Sequence, residues 1–269
     1  MNFISPRPLL ITYMFIDIFS ATTRSAIFLE KMETQLDYLD PTPSEEEIIS
    51  NGNPVTRLLL QAIVRTTLLR ISQRGTTCRA LQQGFVSILQ ELEDFDTLSW
   101  ANKVAMYGWA HPQRSSDCAS TACLLGWSAL AACYKSAALL YLLLSCNASP
   151  GYSESTASKV FSTKLMLSRY IKLLFDSRNT DPGSPIESQL WRFLGWPMMV
   201  SVYVRMGWGL GEESVGEEIE RLRTFAQGTS RASLLRSSSF PNSVLIRRSE
   251  DLDRKWVWDD GLDSNFFYF

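Results

Sequence analysis

Three aspartates near the end of the sequence have a spacing that could bind a divalent metal ion. Asp259, Asp260 and Asp263 form the pattern Asp-Asp-x-x-Asp within the segment DDGLD. Carboxylate oxygens are the hard ligands that Mg²⁺ prefers, and such an ion usually shares its other positions with substrate phosphates. The corresponding chemistry is the departure of a diphosphate, whose negative charge the metal stabilises.

The rest of the sequence does not complete a site of this kind. All-helical enzymes that act on prenyl diphosphates hold the leaving group between metal ions bound on two walls of a helix bundle. They therefore need a second metal motif well downstream of the first, and only residues 264–269 follow Asp263 here. We expect DDGLD to be an acidic loop, and an enzyme of this type stays as an alternative function.

Other catalytic and phosphate-binding patterns are missing from the sequence. His111 is the only histidine, and it lies in the loop HPQRSSDC. No serine turn of the kind that presents a nucleophile is nearby. Neither GxGxxG nor GxxxxGK[ST] occurs, so the usual loops that cradle phosphates are absent too. The sequence predicts that the protein is not an enzyme and has no catalytic or cofactor-binding residues.

The cysteines do not form a recognisable zinc site. They stand at Cys78, Cys118, Cys123, Cys133 and Cys146, and no CxxC pair occurs. Zinc sites need soft ligands brought together in pairs by short loops, and one histidine cannot supply what the cysteines lack. We therefore expect no metal-binding residues, and we interpret the cysteines as buried free thiols in a reducing compartment.

The overall charge argues against direct binding to nucleic acid. The chain has 26 basic and 28 acidic residues, for a net charge of -2. No overall positive field exists to hold a phosphate backbone. Apolar residues make up 45% and charged residues 20% of the sequence, which is ordinary for a globular protein and excludes extended disorder.

Hydrophobic periodicity predicts helices along most of the chain and no strands. The predicted helices cover residues 8–20, 54–72, 77–93, 97–110, 118–147, 153–176, 188–210 and 211–228. The polar segment 37–54, with its prolines and glycine, predicts a loop. The fold class is therefore all-α, with one helical regulatory domain over residues 1–228. A flexible Ser- and Arg-rich loop over 229–250 and an aromatic tail over 251–269, packed on the domain, follow it.

The two most apolar segments, 118–147 and 188–210, raise the alternative of a small membrane protein, because a span needs roughly 20 apolar residues. Lys135 lies near the centre of the first segment, and Arg192 and Arg205 interrupt the second. A charge near the bilayer centre costs roughly 2.5–3.5 kcal/mol, whereas each leucine returns about half a kcal/mol. We expect both segments to be core helices and the protein not to bind membranes.

The predicted core helices contain aromatic residues whose positions predict a shared helix face or burial. Tyr134 and Tyr141 are seven residues apart, which places them on one helix face. Within LWRFLGWPMMVSVYVRMG, we predict that Trp196 is buried. Pro197 cannot donate to a preceding turn, so it should start or kink the helix. The residues from Leu190 to Trp196 would then form a separate turn or a bent first segment.

The predicted helix over 153–176 mixes apolar and basic residues. Its apolar members are Phe161, Leu165, Tyr170, Leu173 and Leu174, and its basic members are Lys159, Lys164, Arg169 and Lys172. This mixture is typical of an amphipathic helix that is half exposed.

Three segments together resemble a known protein family. They are LLITYMFIDIFSATTRSAIFL at 9–29, SALAACYKSAALLYLLLS at 128–145, and LWRFLGWPMMVSVYVRMG at 190–207. In this order and with these gaps they resemble the fungal-specific transcription factor domain, the regulatory region of fungal zinc binuclear-cluster transcription factors. The resemblance runs from about residue 9 to 260, and its motifs consist of apolar and aromatic residue types.

The resemblance implies a nuclear regulator of transcription, such as that of a biosynthetic gene cluster. Its regulatory domain would restrain or expose activation surfaces, with protein partners in the transcription machinery and a small molecule as a conceivable effector. In the family a zinc-holding cysteine module at the N-terminus aims a helix at the major groove. This sequence lacks that cysteine set and the early part of the family domain, so we expect no direct DNA binding by this chain alone.

Overall fold

The part of the chain that the structure describes is built from α-helices. The computed structural model describes residues 14–22 except 16 and 20, 29–39, 44–50, 55–72, 78–106, 121–145, 154–177, 190, 193–207, 220, 221 and 224. Among these residues no strand occurs, which confirms the all-α fold class. The described residues from 14 to 21 are helical and Thr22 follows them in a turn; we call them the N-terminal segment. The helices that follow are α1 Leu29–Leu39, α2 Glu45–Ser50, α3 Arg57–Ser72, α4 Cys78–Asp94, α5 Thr97–Met106, α6 Thr121–Ser145, α7 Glu154–Ser177 and α8 Gly195–Gly207.

Most of the predicted helices are present, and side chains before them explain where they begin. The hydroxyl of Thr56 accepts the backbone N–H of Leu59 at 3.1 Å at the start of α3. A carboxylate oxygen of Asp96 accepts the backbone N–H groups of Leu98 and Ser99 at 2.9 and 3.2 Å at the start of α5. These bonds satisfy donors that have no partner within their own helix.

The predicted loop over 37–54 was wrong, because it contains the end of α1 and all of α2. Ser44 and Glu47 form a reciprocal cap: the Glu47 N–H donates to the Ser44 hydroxyl at 3.2 Å, and the Ser44 N–H donates to the Glu47 carboxylate at 3.0 Å. Ile48 and Ile49 are buried behind it. A capping box followed by two apolar residues was sufficient to form one short helix between the prolines and the glycine.

Several predicted elements lie outside the described residues. The proposed helix at 211–228 is described only at residues 220, 221 and 224, which are helical. The loop over 229–250 and the tail over 251–269 are not described, so the proposed domain boundaries stay predictions.

The helix α6 is the centre of the described body. It packs against α3, α4, α5, α7 and α8, and α1 and α4 also pack against α3. Nearly all α6 residues from Trp127 to Ser145 are buried. Because α6 is apolar all round, it can be covered on every side by other helices without burying unpaired charges.

Among the described residues, Leu124–Ser145 is the one stretch long and apolar enough to cross a membrane, and 83% of its most apolar window is buried within the protein. Lys135 is the only charged residue of α6, and its ammonium donates to the carbonyl oxygens of Glu93 and Phe95, each at 2.8 Å. These carbonyls lie at the C-terminal end of α4, where a cation is favoured by the helix dipole. The environment of Lys135 is therefore that of a core helix in contact with its neighbours.

Burial lowers the pKa of the Lys135 ammonium from its ordinary value, and the nearby carboxylates of Glu93, Asp94 and Asp96 act in the opposite direction. The position is thus partly desolvated, and it holds the cation through carbonyl contacts.

We predict that Lys135→Met lowers the free energy of unfolding in aqueous buffer by about 1–2 kcal/mol, because two charge-assisted hydrogen bonds at the end of α4 are lost. The control is Arg79→Met, an exposed basic residue of α4, which should change stability by less than about 0.5 kcal/mol. Urea unfolding followed by circular dichroism measures both. A Lys135→Met protein at least as stable as the wild type would contradict this role, and it is the result expected if α6 were a membrane span.

Candidate functional site

Trp196 lies at the centre of a buried group of aromatic side chains. Its side chain is 3% exposed, which confirms the predicted burial. The indole stacks with Phe19 at a ring-centroid distance of 5.2 Å and with Tyr134 at 6.0 Å, and it meets the edge of Tyr141 at 6.4 Å. Offset and edge-to-face contacts at these distances stabilise aromatic groups beyond the burial of their area.

The local sequence explains how α8 holds Trp196 in this position. α8 begins at Gly195, and the Met198 N–H donates to the Leu194 carbonyl at 2.9 Å. Pro197 therefore lies in the first helical turn, where its missing N–H would have had no partner. Phe193, just before the helix, is in a 3₁₀ turn. Pro197 thus lies at the start of the helix, as predicted, but Gly195 and Trp196 already belong to α8 and are not part of a separate segment.

The indole N–H of Trp196 has a partner far away in the sequence. It donates to the hydroxyl of Thr22 at 3.2 Å, and that hydroxyl donates in turn to the carbonyl of Phe19 at 2.6 Å. Both Thr22 and Phe19 belong to the N-terminal segment. The contact therefore joins the beginning of α8 to the end of that segment through a buried polar pair.

Arg70 binds the same end of the N-terminal segment from α3. Its guanidinium is buried and donates to the carbonyl oxygens of Thr22 at 2.7 Å and Ala21 at 3.3 Å. It also lies over the ring of Tyr141, with the central carbon 5.7 Å from the ring centroid. A buried cation is tolerated where carbonyl oxygens and an aromatic face replace water, and the end of a helical segment offers both partial negative charge and free carbonyls.

The two tyrosines of α6 complete the group with their hydroxyls. The Tyr141 hydroxyl and the Thr67 hydroxyl are 2.9 Å apart and share a hydrogen bond. The Tyr134 hydroxyl donates to the carbonyl of Phe193 at 2.7 Å. Phe15 joins the group through Phe19, with ring centroids 6.2 Å apart. We call the whole group the Trp196 cluster, formed by Phe15, Phe19, Thr22, Thr67, Arg70, Tyr134, Tyr141, Phe193 and Trp196.

The Trp196 cluster joins four parts of the chain: the N-terminal segment, α3, α6 and the start of α8. It includes no carboxylate, imidazole or thiol, so it offers no general base and no strong nucleophile. Across the described residues, no group of three or more His, Cys, Asp or Glu side chains could hold a metal ion. The arrangement fixes these four parts of the chain relative to one another.

The other residues considered for chemistry fall into two groups. Asp259, Asp260, Asp263 and His111 lie outside the described residues. Cys133 is a buried free cysteine, as predicted, and burial raises the pKa of its thiol well above the ordinary value. A thiol held protonated in this way is a poor nucleophile.

Sequence reasoning missed Arg70 and Thr22. Arg70 looks like a surface charge at the end of an ordinary helix, yet it lies on the buried face, seven residues after Ile63 and three after Thr67. That periodicity was the available signal, since positions three and seven apart share a helix face. Thr22 had no signal of its own, because its partners are distant in the sequence.

Comparison with protein-family models, with curated proteins and with solved structures gives no match to this chain.

Truncating the central side chain measures the contribution of the cluster to folding. Trp196→Ala should lower the free energy of unfolding by about 3–5 kcal/mol, because a large buried aromatic group is lost and a cavity remains. Leu125→Ala, an exposed residue of α6, is the control and should cost less than about 0.5 kcal/mol. Chemical unfolding in aqueous buffer gives both values, and a loss under 1 kcal/mol for Trp196→Ala would contradict a core position.

Proposed function

We propose that this chain is the regulatory domain of a fungal transcription regulator of the zinc-cluster type. The observation that supports the proposal most is where the three resembling segments meet. Segment 9–29 contributes Phe19 and Thr22 to the Trp196 cluster, segment 128–145 contributes Tyr134 and Tyr141, and segment 190–207 contributes Trp196.

This convergence supports the proposal because a resemblance between apolar stretches could arise from composition alone. Composition gives no reason for three separate stretches to supply the rings that stack on one indole. A family pattern made of core residues does give such a reason, since core positions are retained through mutual contact. The absence of a catalytic arrangement in the Trp196 cluster is also in keeping with a regulatory domain.

The cluster suggests how such a domain would act. Polar contacts join the N-terminal segment to three other helices: the Gln35 amide of α1 donates to the Asp17 carboxylate, the Arg70 guanidinium of α3 to two carbonyls, and the Trp196 indole of α8 to Thr22. If the N-terminal segment moves away, these contacts break together. Each broken contact then leaves a buried polar group without its hydrogen-bond partner. A protein partner or a small molecule that binds one arrangement better would shift the population between them. The proposed output is the exposure or masking of surfaces that contact the transcription machinery.

The proposed location is the nucleus, and DNA contact is assigned to a separate module. With a net charge of -2, this chain can neutralise few phosphates at once, and nonspecific affinity for duplex DNA depends on that number. The burial of α6 and the carbonyl contacts of Lys135 favour the regulatory proposal over a membrane protein.

A reporter assay in a fungal cell tests the proposal. The chain is joined to an unrelated DNA-binding module whose sites precede a reporter gene, and a tagged copy is followed by microscopy. We expect nuclear accumulation and a several-fold change in reporter output compared with the module alone. The chain without the module should leave the reporter unchanged, because it has no DNA reader of its own.

Two variants make the assay specific. Arg70→Met removes the contacts with the N-terminal segment and should change the output, whereas the exposed control Leu125→Ala should not. Immunoblotting matches the amounts of protein, so that lower abundance is not mistaken for altered regulation. Reporter output equal to that of the module alone, at equal nuclear abundance of the unsubstituted fusion, would refute the proposal.

A further inference from the structure

Helix α7 carries large apolar side chains on the side that faces away from the core. Phe161, Leu165 and Leu173 are 60%, 63% and 58% exposed. With Arg169 they form a series in which each residue is four positions after the previous one. This spacing aligns the four side chains as one ridge along the helix. The ridge is about 18 Å long at the rise of an α-helix. We call this row the α7 ridge.

The core does not require these side chains, because α7 already has a buried apolar side. Val160, Leu167, Ile171 and Leu174 are buried there, and α7 packs against α6 and α8. A contiguous row of exposed large apolar groups is uncommon on a monomeric protein and is typical of a surface that contacts another segment or molecule.

The charge of the α7 ridge is positive at its centre. Arg169 lies within the row and Lys172 beside it, and both are exposed. Lys159 is already paired with Glu93 of α4. Asp176 is exposed near the far end of the helix. A segment that fits this surface should therefore combine aromatic or aliphatic groups with carboxylates.

Residues 251–269, which lie outside the described residues, have this composition. Their apolar members are Leu252, Trp256, Val257, Trp258, Leu262, Phe266, Phe267, Tyr268 and Phe269, and their acidic members are Asp251, Asp253, Asp259, Asp260 and Asp263. Two basic residues, Arg254 and Lys255, oppose the acidic ones. The tail is therefore net acidic and strongly aromatic, the complement of a net basic and apolar ridge.

The connection between the two is long enough. α8, which ends at Gly207, packs against the helix that carries the ridge. Residues 208–250 could span more than about 100 Å if extended, and α7 is only about 36 Å long. The connection therefore allows any position along α7.

We propose that residues 251–269 dock on the α7 ridge of the same chain. The tryptophans Trp256 and Trp258 cover the apolar groups, and the carboxylates of the DDGLD segment lie against Arg169 and Lys172. The aspartates would then anchor the tail by charge. This inference stands independently of the proposed function, because it rests on the exposure and charge of α7 and on the composition of the tail.

Hydrogen exchange followed by mass spectrometry tests the proposal on the full chain. Backbone amides in 251–269 should exchange about tenfold more slowly than in an unstructured peptide, because docking protects them. In the double variant Phe161→Ser with Leu165→Ser this protection should be lost. The matched control is Val86→Ser with Leu98→Ser, which changes two exposed apolar residues of α4 and α5 and should preserve the protection.

Charge exchange separates direct contact from a general loss of structure. Arg169→Glu with Lys172→Glu should weaken the protection of the tail, and adding Asp259→Arg with Asp260→Arg should restore it. Circular dichroism checks that the helices remain, which is expected because the changed side chains of α7 are exposed. Restoration by the reversed charges supports the proposal, and its absence counts against it.

Three results would overturn the proposal. Tail amides that exchange like an unstructured peptide in the unsubstituted protein would show that no docking occurs. Protection that is insensitive to the α7 variants would place the tail elsewhere. Protection that rises with protein concentration, together with a dimer in sedimentation, would make a second copy the occupant of the ridge.

Discussion

The contact of Trp196 with Thr22 and Phe19 is the interaction on which the described arrangement depends. One indole packs against Phe19 of the N-terminal segment and Tyr134 of α6 while its N–H reaches the Thr22 hydroxyl. The end of a helical segment leaves carbonyl groups without partners inside the helix, and burying them unsatisfied would cost free energy. Arg70 supplies the missing donors. The position of the N-terminal segment is thus set by a requirement for hydrogen bonds as well as by apolar packing.

The helix α6 connects this local contact to the arrangement of the other helices. It is apolar on all sides, so helices must surround it, and its tyrosines bring the Trp196 cluster to one face. Lys135, its single charge, faces the C-terminal end of α4, where backbone carbonyls receive it. A cation at that position is compatible with burial of the rest of the helix because the carbonyls substitute for water.

Much of this arrangement follows from the sequence, since periodicity and composition are local signals. The helix class, the burial of Trp196 and the role of Pro197 each depend on residues within one segment. Periodicity could have placed Arg70 on the buried face of α3, but its partners could not be predicted, because they are 48 and 49 positions away. The sequence also did not indicate which side of α7 faces the core, because apolar residues occur on both sides of that helix. Phe161, Leu165 and Leu173 are exposed even though they are large and apolar, and only the packing of α6 and α8 decides this.

The central claim is that the Trp196 indole and Thr22 act on each other directly, across the sequence, in the folded protein. A double-mutant cycle tests it with Trp196→Phe, which removes the N–H, and Thr22→Val, which removes the hydroxyl and keeps the shape. Unfolding free energies of the wild type, both single variants and the double variant give the coupling. The contact predicts a coupling of about 1–2 kcal/mol, because Thr22→Val leaves the buried indole N–H unpaired, whereas Trp196→Phe removes the hydrogen bond that the Thr22 hydroxyl accepts. Free energies that add within about 0.3 kcal/mol would show that the two groups do not interact, and would contradict the account.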